Sequence, residues 1–298
     1  MIGELAALGA ALSWTASALL YRKALQQTTP VAANILRLSC TSAVLVLFLV
    51  SIGKLQALTS LPTSILVLAG VSGVVGLGLG DTLYMVSLKQ IGVARAVPLS
   101  CTYPLFNLVW TVSLLGSPIT LSVVLATIII VLGIWLVTYE EQAGEAGIRR
   151  SVLVRGIAAA LATAVLWSVS ITMMNVAVLE ASDFDHALVI NTVRVSVVAV
   201  FLLALSPLLD RKREFLKARL RTVAVLVAGG IVALGLGWFL LAYSFVVTVE
   251  SRAVPISSTT PLFSTLVGLV FLHEKVKWKN VLGSVVIVLG IILIFAFR

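Results

Sequence analysis

A chain of 298 residues that is 60% hydrophobic and 11% charged is not an ordinary soluble domain, in which about a quarter of residues carry charge. Its mean hydropathy is +1.14. The formal net charge of +9 would suit a nucleic-acid partner, but the basic residues are sorted by loop, as shown below, and a bilayer explains them without one. Cys40 and Cys101 have no ligand-like spacing, so they give neither a metal site nor a disulfide and read as small packing residues.

The apolar residues fall into ten runs of about 20 residues, the length needed to cross a bilayer: 3–20, 31–52, 64–88, 93–115, 119–138, 152–178, 186–208, 222–247, 253–272 and 280–297. No Lys or Arg precedes the first run, and Glu4 stands where a leader would be basic, so it reads as a retained helix. The second run holds Asn34 and Arg37, three residues apart and therefore on one helical face. The third is rich in glycine and carries Asp81, the one clearly intramembrane carboxylate. In the fourth, Pro98 and Pro104 flank Ser100, Cys101, Thr102 and Tyr103. A polar stretch, YEEQAGEAGIRR at 139–150, divides a first half (1–138) from a second (151–298). The sixth run carries Trp167 and Asn175, the seventh Asn191 and Arg194, and the eighth glycines and Trp238. In the ninth, Pro255 and Pro261 flank Ser257, Ser258, Thr259 and Thr260.

The halves repeat one another. Asn34, Arg37 and Ser39 recur as Asn191, Arg194 and Ser196; Leu77-Gly78-Leu79-Gly80 recurs at 234–237; Arg95-Ala96-Val97-Pro98 recurs at 252–255; Pro104-Leu105-Phe106 recurs at 261–263. Each match keeps one offset, 157 (191 − 34), and Trp14 matches Trp167 at 153 (167 − 14). Five crossings per half force the second to insert upside down, which is the inverted repeat of many secondary transporters. Of the Lys and Arg residues outside the spans, Lys54, Arg252 and Arg298 fall on the side of the N-terminus and all others on the opposite side, including the run DRKREFLKARLR at 210–221. The positive-inside rule then puts both termini outside the cytoplasm. Prolines at these depths free backbone carbonyls, which is tolerated where a helix lines a cavity. All four are therefore expected to kink helices around a midplane site, with Thr102, Ser258 and Thr259 on its wall, although such hydroxyls also bond their own backbone.

The segment RAVPISSTTPLFSTLVGLVFLHEKVKWKNVLGSVVIVLGIILI (252–294) resembles the EamA repeat of the drug/metabolite transporter superfamily, through its proline-bearing span, Glu274 in a short turn and a final helix with Gly283 and Gly290. Trp14, Arg37, Pro98 and Pro104 fit the same pattern in the first half, so the resemblance covers nearly the whole chain. It implies an all-α membrane protein of ten helices, two inverted five-helix repeats and a central cavity, moving amino acids, sugars, nucleotide sugars or drugs, with export favoured. Ser117 stands where Glu274 has its counterpart, a departure from the repeat.

An arginine within a span costs roughly 2.5–3.5 kcal/mol on insertion scales and needs a partner or water. Arg37 and Asp81 are expected at similar depth and able to pair, as a structural or coupling ion pair. Position 238, the repeat-mate of Asp81, is Trp, so Arg194 lacks that carboxylate. It becomes the candidate for an anionic group of the solute, with Glu250 or Glu4 as the competing partner. Trp14, Trp167, Trp238, Tyr84 and Tyr103 are candidate ring walls, Tyr243 lies in a flanking span, and Asn175 and Asn191 are candidate donors. His186 and His273 sit at span ends and suit no metal. The chain has no Walker motif and no nucleophile–base or HExxH pattern. The expectation is a secondary transporter without cofactor, in a bilayer, with a small-molecule solute and compatible with a monomer. Short loops and no N-glycosylation sequon suit a prokaryotic inner membrane. An exporter of cationic or aromatic drugs is the alternative; an embedded enzyme or an inert scaffold fits less well.

Overall fold

A computed structural model describes residues 1–116, 119–138, 150–181, 183–263 and 278–296. Among them no strand occurs, and the helices follow the apolar runs: α1 (Ile2–Leu25), α2 (Pro30–Ser51), the short α3 (Gln56–Ser60), α4 (Thr63–Gly73), α5 (Asp81–Ile91), α6 (Val93–Ser100), α7 (Tyr103–Leu115), α8 (Leu121–Thr138), α9 (Arg150–Ala181), α10 (Phe184–Leu209), α11 (Glu214–Lys217), α12 (Leu220–Gly230), α13 (Trp238–Val247), α14 (Glu250–Ser257) and α15 (Trp278–Ala296). Among the described residues, six helical stretches are long and apolar enough to cross a membrane: Ile2–Leu25, Pro30–Ser51, Thr63–Ile91, Arg150–Glu180, Phe184–Leu209 and Leu220–Val247. Leu47, Val200, Leu208 and Leu220 are exposed, while Arg37, Asp81, Arg194 and Glu250 are buried. That distribution, apolar outside and polar within, is what lipid demands.

Sequence chemistry sets the ends. Thr29 Oγ1 accepts from the Ala32 amide (3.3 Å), and Pro30 takes the first turn of α2, where its missing N–H costs nothing. Asp183 caps α10 through the His186 amide (2.7 Å).

The fourth span, expected from the sequence to be one kinked run, is two helices. α6 ends and α7 begins across Cys101 and Thr102, and the ninth span breaks at the repeat-mates Ser258 and Thr259. Pro104 sits in the first turn of α7, so the break leaves its missing donor at a helix start. The remainder of the ninth span, the Glu274 turn, Ser117, His273 and the polar stretch 139–149 lie outside the described residues.

The halves interlock. α1 packs along α12 and α13, α9 packs along α4 and α5, α2 crosses α10, and α8 lies against α15. Exchanging the two repeats maps this set of pairings onto itself. Ala7, Ala10 and Ala11 on α1, with Ala160 and Ala164 on α9, are buried at these crossings, where small side chains let helices approach.

Between α4 and α5, and again between α12 and α13, the helix widens into π segments, Val74–Gly80 and Ile231–Gly237. The loosened carbonyls still need donors. Asn34 Nδ2 donates to the Leu77 and Gly78 carbonyls (3.0 and 3.3 Å), and Asn191 Nδ2 to those of Leu234 and Gly235 (2.8 and 3.4 Å). Asn191→Ala is expected to lower unfolding free energy by about 1–3 kcal/mol, the cost of orphaned buried acceptors, read as a fall in apparent Tm. An unchanged Tm would mean the widened turn needs no side-chain donor.

The loops pair by side. Lys54 Nζ meets Asp185 Oδ2 (2.5 Å) and Ser60 Oγ meets His186 Nε2 (2.9 Å) at one end of the bundle; Thr222 Oγ1 donates to Gln27 Oε1 (3.0 Å) at the other. Each bond joins loops that alternating spans bring to one end.

Candidate functional site

Inside the bundle a cavity of ≈ 70 Å³ is lined by α1 (Trp14, Ser17, Ala18, Tyr21), α2 (Arg37), α5 (Asp81, Tyr84), the α6–α7 break (Val97, Cys101, Tyr103), α9 (Trp167, Ile171) and the α12–α13 stretch (Ala233, Leu234, Trp238), with Thr260 beyond the α14 break. At about 10–15 Å³ per enclosed water it holds several waters. A larger solute enters only if the walls move.

One charged pair faces it. The Arg37 guanidinium meets the Asp81 carboxylate, both nearly inaccessible. Arg37 Nε donates to Asn34 Oδ1 (2.9 Å), and its guanidinium lies 4.8 Å from the centre of the Tyr21 ring. Asp81 Oδ1 accepts from Trp167 Nε1 (2.8 Å), which ties the pair to α9 of the second half. Tyr21 is held by its hydroxyl donating to the Gly229 carbonyl (2.9 Å). Out of water, charges this close persist only with such supporting bonds.

The rings form two groups, one built on each repeat's tryptophan. Trp14 packs on Trp238 (5.3 Å between centroids), while Trp167 packs on Tyr84 (5.0 Å) and edge-on to Tyr103 (6.1 Å). Glycine makes the seats: a Cβ at Gly80 would stand 2.9 Å from Trp167 Cδ1, and one at Gly237 2.7 Å from Trp14 Nε1. Tyr103 Oη pairs with Ser257 Oγ (2.8 Å), joining the two broken spans.

Of the residues singled out in the sequence, Trp14, Arg37, Asp81, Tyr84, Tyr103, Trp167 and Trp238 meet around the cavity. Arg194 does not reach its wall. Its Nε donates to Ser72 Oγ (3.1 Å), its terminal nitrogens to Met174 Sδ (2.7 Å) and Ser170 Oγ (3.0 Å), and its charge rests 4.4 Å from the centre of the Trp238 ring. Neutral groups thus occupy the guanidinium, and Trp238 stands on the cavity side of it. Neither Glu250 nor Glu4 is among its partners.

Asn191 serves the π segment instead. Thr102, Ser258 and Thr259 also stay off the wall: each hydroxyl donates to a carbonyl three residues back, those of Leu99, Pro255 and Ile256 (2.7, 2.7 and 2.8 Å). Pro104, Pro255 and Pro261 flank the breaks rather than the cavity, and Pro98 lies within α6. Tyr243 packs on Phe184 and Phe239. Asn175 donates to Glu250 Oε2 (2.7 Å) at one end of the bundle.

Of the residues between the paired prolines, Cys101, Tyr103 and Thr260 do reach the wall. Tyr21 is a wall residue that the sequence did not single out, because it stands one residue past the first apolar run.

Two repeated halves, broken spans and an aromatic cavity with one buried ion pair are the features of a membrane transporter. The chain belongs to the EamA-like transporter family, which matches it twice, over residues 1–139 and 154–296, and so falls within the drug/metabolite transporter superfamily. An uncharacterized transporter of Archaeoglobus fulgidus is similar to it, 27% identical over 297 residues that span 99% of this chain and 98% of the other. A solved crystal structure shares the fold at a TM-score of 0.79 and 20% identity, with 99% of each chain covered.

Proposed function

We propose that this protein exports a small zwitterionic metabolite, an amino acid or close analogue with an aromatic or apolar body, by alternating access. The observation that carries this reading is the Arg37–Asp81 pair facing a ring-lined cavity. A solute carrying both a carboxylate and an ammonium exchanges one ion pair for two without leaving a buried charge unmatched, whereas an anion or a cation alone leaves one. Trp14, Tyr84, Trp167 and Trp238 supply faces for its body. Export follows the family resemblance, and the loop charges support a multi-pass inner-membrane protein with both termini outside the cytoplasm.

The wealth of rings beside Asp81 supports a second reading, an exporter of planar cationic drugs. A thermal-shift screen of amino acids, sugars, nucleobases and cationic drugs separates the two. At 100 times Kd a ligand specific to the folded protein adds about 2.7 kcal/mol. Amino acids with apolar side chains are expected to raise the Tm of the wild type and not of Asp81→Asn, with matching counterflow in liposomes. Stabilisation by cationic drugs alone would favour the second reading, and a response to sugars or nucleobases only would discard both.

A further inference from the structure

Glu250 is a buried carboxylate (3% exposed) held, among the described residues, by three neutral side chains and no cation. Oε1 accepts from Asn107 Nδ2 (2.6 Å) and Thr172 Oγ1 (3.0 Å), and Oε2 accepts from Asn175 Nδ2 (2.7 Å). The cluster therefore bolts α7, α9 and α14 together. It lies beyond the cavity: Asn107 is one turn past Tyr103, Asn175 one turn past Ile171, and Glu250 opens α14 two turns before Ser257, the partner of Tyr103. It lies between the cavity and the end of the bundle where α9 finishes. Inversion gives no copy at the other end, because the repeat-mate of Glu250 is Val93. Beside the carboxylate, Asn107 Oδ1 is buried without a hydrogen-bond partner. A turned Asn107 amide would present that oxygen to a protonated Glu250.

We propose that Glu250, with Asn107, Thr172 and Asn175, is a proton-binding latch that shuts the cavity at this end and couples its opening to proton release. Enclosing an anion away from water and cations is costly, and a proton removes the charge. Opening wets the carboxylate and lets the proton go. The sign follows by linkage: the closed state binds the proton more tightly, so raising pH opens this end and lowering pH closes it. Among the described residues, the titratable side chains on the elements packed around Glu250 at this end are Glu4 on α1, Tyr103 on α7, Glu180 on α9, Tyr243 on α13 and Arg252 on α14 itself; none bonds to Glu250. Glu4 meets the terminal ammonium (2.7 Å) and Tyr103 meets Ser257.

The inference rests on the alternating-access reading, and the test separates the two. A Thr260→Cys reporter on the cavity wall, in protein carrying Cys40→Ala and Cys101→Ala, is labelled in sided vesicles with a membrane-impermeant maleimide from the α9-end face. An Ala18→Cys reporter is labelled from the opposite face. Dividing each Thr260→Cys rate by that of the same protein with Glu250→Gln at the same pH removes the thiol's own pH dependence. The ratio is expected to rise with pH, by up to about tenfold per unit for one proton. Asn175→Ala keeps the carboxylate but removes a donor to the anion, so its rise should move to higher pH. A ratio flat with pH, one that follows sodium at fixed pH, or an Asn175→Ala profile identical to wild type overturns the latch. If the two reporters never react from opposite faces under any condition, alternating access itself fails.

Discussion

Asp81→Ala is expected to cost about 3–5 kcal/mol of unfolding free energy, among the largest losses any single substitution in this chain should produce. The cost is not the attraction between two charges. It is the enclosed Arg37 guanidinium left with Asn34 Oδ1 and the Tyr21 ring face, and no anion. Trp167 Nε1 loses its acceptor in the same step. Adding Arg37→Met removes the orphaned charge, so the double variant should recover most of the loss. The coupling energy from the four-protein cycle, measured by reversible unfolding in detergent, should reach several kcal/mol. Additive single effects would show that water or a lipid headgroup already solvates the pair. The same cycle bears on transport, because a pair this strongly coupled yields only to a solute that offers both charges at once.

The helical plan was legible because lipid leaves few choices: long apolar runs must be helices, and the repeat read in the sequence is matched by the family model once in each half. The meeting of Arg37 with Asp81 was also legible, since counting residues from the loops gives depth. What failed was reading partners by charge. Arg194 looked unmatched because matches were sought among carboxylates, whereas Ser72, Ser170, Met174 and the Trp238 face hold it. Glu250, with Glu4 one of two competing counter-ions for it, has its carboxylate occupied by three neutral donors from α7 and α9. Neutral partners leave no charge pattern to find. The hydroxyls between the prolines failed differently: a broken helix frees carbonyls nearby, and Thr102, Ser258 and Thr259 turn back to them. The π segments depended on contact across helices, because nothing within LGLG announces that Asn34 or Asn191 will supply the donors.

Gly73→Ala should cost about 3 kcal/mol, the upper end of ordinary overpacking, while Gly78→Ala and Gly235→Ala should stay within about 0.5 kcal/mol of wild type. The contrast comes from what each new methyl meets. At Gly73 a Cβ would stand 2.5 Å from the Arg194 carbonyl oxygen, which no side-chain rotation can move. At Gly78 and Gly235 the nearest atoms, Val198 Cγ1 and Leu45 Cδ2, are 3.5 and 3.7 Å away, an ordinary contact. A Cβ at Gly230, the repeat-mate of Gly73, would stand 2.2 Å from Thr41 Oγ1, a side-chain atom that rotation can move, and 3.2 Å from the Arg37 carbonyl oxygen, so Gly230→Ala should fall between the two. Each half thus presses a glycine, Gly73 on α4 or Gly230 on α12, toward the backbone of the other half's arginine. A methyl at position 73 must push α4 from α10 and carry Arg194 and the Trp238 wall with it, so a loss of ligand-induced stabilisation should accompany the fall in Tm. Equal Tm changes for Gly73→Ala and Gly78→Ala would show that α4 and α10 are loosely seated. In that case the glycines would serve helix bending rather than close approach.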